Sequence, residues 1–194
     1  AVVFFSDHPD AVRIGAFLQF GAAIPLAIFT ATATSRLRFL GIEVAGQSIA
    51  LIGGTLAAAM AALSALLQWV LAQPAVAACA DIARALHLLS FATGGPGFVA
   101  PFGLLVAGVS VSGGLARKLP RWVMWFGLVV AATAELSSLT LVVPAAAYLL
   151  PLARFPGLVW LIVVGARLPA ARPRRTSPER EPQRNFEGEL QSGS

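Results

Sequence analysis

Five stretches of this chain are apolar for at least the ~20 residues a helix needs to cross a bilayer, and this limits its folds more than any other feature. They cover residues 14–34, 44–72, 83–115, 122–143 and 146–168. Backbone groups in lipid must bond within the protein, and these runs lack the in–out alternation of a barrel strand, so each is expected to be helical. The expected fold is all-α, a polytopic integral membrane bundle of about five transmembrane helices spanning residues 1–169. Charged residues make up 12% of the chain, about half the roughly 25% usual in soluble domains. Trp69, Trp122, Trp125 and Tyr148 fall near the ends of runs, as interfacial aromatics do. Trp160 fits that pattern least well.

The basic residues predict an orientation. Arg36 and Arg38 follow the first run, Arg117, Lys118 and Arg121 follow the third, and Arg167, Arg172, Arg174, Arg175, Arg180 and Arg184 end the chain. The other side has only Arg13, Arg84 and Arg154. With an odd number of spans, this asymmetry puts the N-terminus outside and the C-terminus in the cytoplasm. The net charge of +5 therefore reflects topology and anionic lipid, and no nucleic-acid partner is expected. The start, AVVFFSDHPDAVR, lacks the features of a cleavable signal peptide, so the first run should remain as a span. From residue 170 the chain turns Pro-, Arg- and Glu-rich, and 170–194 is expected to be a disordered cytoplasmic tail. The single cysteine, Cys79, excludes an intramolecular disulfide. With only His8 and His87 as histidines, no metal and no cofactor are expected.

The third run contains Thr93-Gly94-Gly95-Pro96-Gly97 and then Pro101, which cannot sustain one uninterrupted helix. A kink or break is expected between Gly94 and Pro101. Pro144 and Pro151 predict a tight hairpin between the last two runs. Small residues recur every four positions at Gly54, Ala58 and Ala62, at Gly53, Ala57, Ala61 and Ala65, and at Gly108 and Ser112. Such rows allow close helix approach, within the bundle or with another subunit.

One residue stands out chemically. Glu135 lies within RWVMWFGLVVAATAELSSLTLVV, where a carboxylate costs at least ~2.5 kcal/mol unless paired or protonated. Counting from Trp122 puts it slightly beyond the midplane, in the outer half. Arg154 falls at a similar depth on the neighbouring run and is the expected partner. The alternatives are an Arg154 that snorkels to the headgroups and a Glu135 that only fixes helix register. Asp81, Arg84 and His87 recur every three residues and share one helix face. Gln19, Gln68 and Tyr148 add polarity in the same outer half. The candidate ligand-binding set is thus Glu135, Arg154, His87, Arg84, Tyr148, Gln19 and Gln68, arranged as a pocket facing outward rather than a continuous pore.

No phosphate loop, catalytic triad, HExxH or CxxC motif is present. Between Leu86 and Leu168, the segments FATGGPGFVAPFGLLVAGVSVSGG, LARKLPRWVMWFG and FPGLVWLIVVGARLP occur in order, with Leu119-Pro120-Arg121 and Gly127 the most specific part. This order resembles an uncharacterised family of bacterial multi-helix inner-membrane proteins, a domain of unknown function. The resemblance implies a helical bundle in the bacterial cytoplasmic membrane and no particular chemistry. The expected function is non-catalytic: binding a lipid or small lipophilic ligand in the outward pocket, or serving as an accessory subunit of a membrane complex. Membrane lipids, a lipophilic small molecule, a second copy or a membrane-complex subunit are the expected partners. The alternatives are a membrane enzyme using His87, Glu135 and Arg154, and a small proton-coupled transporter.

Overall fold

The computed structural model describes residues 9–39, 45–117 and 119–167. Among these, every regular element is helical. In chain order they are α1 (Pro9–Phe39), α2 (Ala45–Leu71), the single turn α3 (Pro74–Ala77), α4 (Ala80–Gly94), α5 (Pro96–Leu115), α6 (Arg121–Leu136) and α7 (Leu149–Arg167). Two 3-10 turns, Ser137–Leu141 and Pro144–Tyr148, join α6 to α7. Five stretches are long and apolar enough to cross a membrane: Pro9–Phe39, Ala45–Leu71, Ala80–Leu115, Arg121–Leu141 and Pro144–Arg167. His8, Val44, Lys118, Leu168 and the expected tail at 170–194 lie outside the described residues.

Some helices overrun their apolar runs. α1 is described from Pro9 to Phe39, beyond its apolar run at both ends. Asp10 in the first turn and Arg36 and Arg38 in the last have signs that suit the helix dipole. α6 instead stops short of its run. Ser137 Oγ donates to the Ala134 carbonyl at 2.6 Å, and Ser138 Oγ donates to the Glu135 carbonyl at 2.6 Å. These bonds to the i−3 carbonyls accompany the change to 3-10 winding. The two 3-10 turns pack on each other with only Val142 and Val143 between them, making the short connection that Pro144 predicts.

The third apolar run is described by two helices. α4 ends at Gly94 and α5 begins at Pro96, and between them Gly95 has φ −91° and ψ −107°, outside the helical region. Pro96 has no amide hydrogen with which to continue α4, and it serves as the first residue of α5. Pro101 lies inside α5.

α5 is the hub of the bundle, packing against α1, α2, α4, α6 and α7. Its Val99, Phe102, Leu105, Val106 and Val109 are all buried. Its most extensive contact is with α2, where the two backbones meet at glycine. A Cβ added to Gly108 would strike the Gly46 carbonyl and lie 2.8 Å from the Ala50 Cβ. One added to Gly53 would lie 2.6 Å from the Pro101 carbonyl oxygen, while Gly54 on the adjacent row faces Thr30 of α1. These small-residue rows therefore pack within the chain. Buried Gln47 also ties α2 to α1, its Nε2 donating to the Thr34 carbonyl at 2.7 Å.

Trp160 is fully buried between α6 and α7, and its Nε1 donates to the Val123 carbonyl at 2.9 Å. The indole fills the space over Gly127, where a Cβ would meet Ser110 and the indole itself. That packing explains why this tryptophan does not sit with the interfacial aromatics.

Gly108→Val should lower the thermal unfolding temperature of detergent-solubilised protein, with about 1–3 kcal/mol lost to overpacking. Gly21→Ala, where nothing lies within 4 Å of the added Cβ, should not lower it. Equal unfolding temperatures for the two variants would remove the α2–α5 approach as a determinant of stability.

Candidate ligand-binding cleft

A cleft of about 940 Å³ separates α7 from a wall made by α1, α2 and α4. Ala11, Val12, Gly15 and Gln19 come from α1, and Ser64, Gln68 and Leu71 from α2. His87, Ser90, Phe91 and Gly94 come from α4, with Gly95 and Val99 at the base. α7 supplies Leu150, Pro151, Arg154, Phe155 and Leu158. The cleft lies in the half of the bundle that contains the start of α1, the α2–α4 connection and the α6–α7 connection. Leu150 packs 3.3 Å from an added Gly95 Cβ at its edge. Towards the other end of the bundle, Phe29 of α1 lies 3.6 Å from an added Cβ on Gly165 of α7. The cleft opens to the molecular surface, since Phe155 and Leu158 on its wall are 65% and 42% exposed.

Besides His87, its polar side chains fall into three sets. Gln68 Nε2 donates to Gln19 Oε1 at 3.0 Å, and Gln19 Nε2 donates to the Ala61 carbonyl at 3.3 Å. Ser64 Oγ donates to the Ser90 carbonyl at 2.9 Å, and Ser90 Oγ returns a bond to the Ser64 carbonyl at 3.3 Å. This reciprocal clasp knits α2 to α4, with room left by Gly94, whose added Cβ would collide with Ser64. On the opposite wall, the Arg154 Cζ lies 4.8 Å from the centroid of the Phe98 ring. Phe98 is itself stacked on Phe102, one helical turn along α5, with centroids 5.5 Å apart.

Four of the seven expected site residues meet here: Gln19, Gln68, His87 and Arg154. Glu135, Arg84 and Tyr148 do not line the cleft. Arg84 is exposed on α4, and Tyr148 is 84% exposed in the second 3-10 turn. The expected Glu135–Arg154 pair is not formed; the sole ion pair among the described residues joins Arg13 to Asp10 at 3.5 Å. The reason is azimuth rather than depth. Glu135 lies about 100° round α6 from the Val123–Gly127 face that receives Trp160 of α7. Its carboxyl points to α5, with Oε1 3.3 Å from an added Cβ on Gly103. Arg154 meanwhile packs on Phe98.

Ser64, Ser90 and Phe98 were not anticipated. A signal existed for Ser64, which stands one helical turn before Gln68 and shares its face. No sequence spacing links Phe98 to Arg154, because that contact depends on how α7 docks. Among the described residues no cluster of His, Cys, Asp and Glu could hold a metal ion.

No protein-family model, curated protein or solved structure matches this chain, so the resemblance over Leu86 to Leu168 assigns no family.

Replacing Gln19 and Gln68 by Leu, singly and together, should reveal a coupling of roughly 0.5–1 kcal/mol in thermal unfolding, as expected for an interhelical side-chain bond. Strictly additive losses would mean that the amide pair contributes nothing to stability.

Proposed function

We propose that this chain is a non-catalytic integral membrane protein that binds a lipid or small lipophilic ligand in the cleft. The observation that carries the proposal is the cleft's composition: mainly apolar walls with a few convergent polar groups, the usual make-up of a small-molecule site. Five helices of sufficient length and apolarity support placement across a membrane, in this reading the bacterial cytoplasmic membrane. Arg36, Arg38, Arg117, Arg121 and Arg167 gather at one end of the alternating bundle, and Arg13 and Arg84 at the other. The positive-inside rule then makes the first end cytoplasmic and opens the cleft to the outer half. The interruption at Gly95 acts in this reading as a bend, letting α4 follow α2 while α5 packs on α2, α6 and α7.

Acid–base catalysis by His87 and Glu135 would need both within ~3 Å of one reacting atom, directly or through water. Only His87 lines the cleft, which favours binding over catalysis. Glu135 favours a second reading, that of an accessory subunit. It is exposed on α6, and in a bilayer such a carboxylate would suit a partner helix carrying a hydrogen-bond donor.

Cys79 offers a direct test of orientation, because it is the sole cysteine, is exposed and lies next to α4 at the cleft end. A membrane-impermeant maleimide should label it in right-side-out vesicles without permeabilisation. Labelling only after permeabilisation would reverse the topology.

Gly15→Phe tests the cleft. Gly15 lines the cleft and nothing lies within 4 Å of a Cβ there, so the bulk of a phenyl ring is expected to take up cleft space. The variant should keep its unfolding temperature and carry several-fold less co-purified lipid in native mass spectrometry. Wild-type protein free of lipid after mild extraction, or a variant that retains it, would remove the support for this function.

A further inference from the structure

We infer that the cleft selects an amphiphile with an anionic oxygen-bearing head, a phosphate or carboxylate held by Arg154, and an apolar chain along Phe155 and Leu158. This rests on the proposal that the cleft binds a lipophilic ligand, and it adds the chemistry by which that ligand is chosen. The guanidinium has five N–H donors in its plane and no acceptor capacity. Its Cζ lies 4.8 Å from the centroid of the Phe98 ring, a contact that supplies no oxygen acceptor to its donors. Among the described residues it has no carboxylate partner: the ion pair formed is Arg13–Asp10, and Glu135 is turned towards Gly103. Arg154 is thus a half-buried cation on the wall of an open cleft. Its donors are left for solvent or for a ligand.

The contact with Phe98 also restricts the guanidinium. A planar fork held in place suits two oxygens of one phosphate or carboxylate better than a flexible ammonium would. Phe155 and Leu158, one and four residues further along α7, are exposed beside it and offer an apolar track for a chain. The Gln19–Gln68 pair on the opposite wall leaves each amide one unused N–H, enough to contact a polar linker. A free inorganic anion would use Arg154 but not the apolar track, so head and chain can be tested separately.

The test is native mass spectrometry of full-length protein in a neutral detergent, titrated with oleoyl-lysophosphatidylglycerol, uncharged monooleoylglycerol or inorganic phosphate. Wild type should bind the anionic lysolipid about tenfold more tightly than the uncharged monoglyceride, the scale of a charge-assisted hydrogen bond. Arg154→Gln should abolish that preference while leaving monooleoylglycerol binding unchanged. Arg154→Lys, which keeps the charge but loses the fork, should fall between wild type and the glutamine variant, and it carries the test if the glutamine variant does not fold. Gly15→Phe should weaken both lipids. If both lipids bind equally and Arg154→Gln changes neither, while Gly15→Phe weakens both, charge selection is overturned and the lipophilic cleft stands. If neither lipid binds, or Gly15→Phe has no effect, the cleft reading falls as well. Inorganic phosphate binding as tightly as the anionic lysolipid would overturn the amphiphile in favour of a free anion.

Discussion

The backbone approach of α2 to α5 at Gly46 and Gly108 is the contact on which the rest of the bundle depends. In water, two apolar helices associate because burial removes them from solvent. In the bilayer proposed here, lipid chains offer an equally apolar surface, so close packing at small residues must supply the attraction. Gly46, Gly53 and Gly108 let these helices meet with backbone atoms of one against the other. α2 keeps its next row, beginning at Gly54, for Thr30 of α1. With α2 taken up on both sides, α6 and α7 are left to pack on the remaining faces of α5.

The cleft follows from that allocation. α4 is sequestered by α2 through the Ser64–Ser90 clasp, and the non-helical Gly95 separates it from α5. α7 is held on the opposite side by Trp160 and its bond to the Val123 carbonyl. The space between the α1–α2–α4 wall and α7 is therefore the consequence of two helices being committed to different partners. Its polar groups share this logic. Gln68 donates to Gln19, which donates to the Ala61 carbonyl, the two serines bond reciprocally, and Arg154 rests on an aromatic ring rather than on a carboxylate.

Depth was legible in the sequence and direction was not. Counting along the apolar runs assigned Gln19, Gln68, His87 and Arg154 to one half of the bundle, and these four do line a single cleft. The same counting assigned Glu135 to Arg154, and there it failed. Rise along a helix is the same for every sequence, but the face a residue presents depends on how the helix is rotated against its neighbours. On α6 that rotation is set by Trp160 entering over Gly127, a contact between residues far apart in the chain. The glycine rows were visible as such, but which helix each row would meet was not.

By itself the sequence determined the number and approximate placement of the apolar helices and which polar residues share an end of the bundle. These features depend on long stretches without charge and on a helical rise that is the same for every sequence. Only the tertiary structure decided that Gln19 would meet Gln68, that Arg154 would lie on Phe98, and that Glu135 would turn towards Gly103. Those outcomes depend on helix rotation, which is settled by packing between distant residues and leaves no periodic trace in the chain.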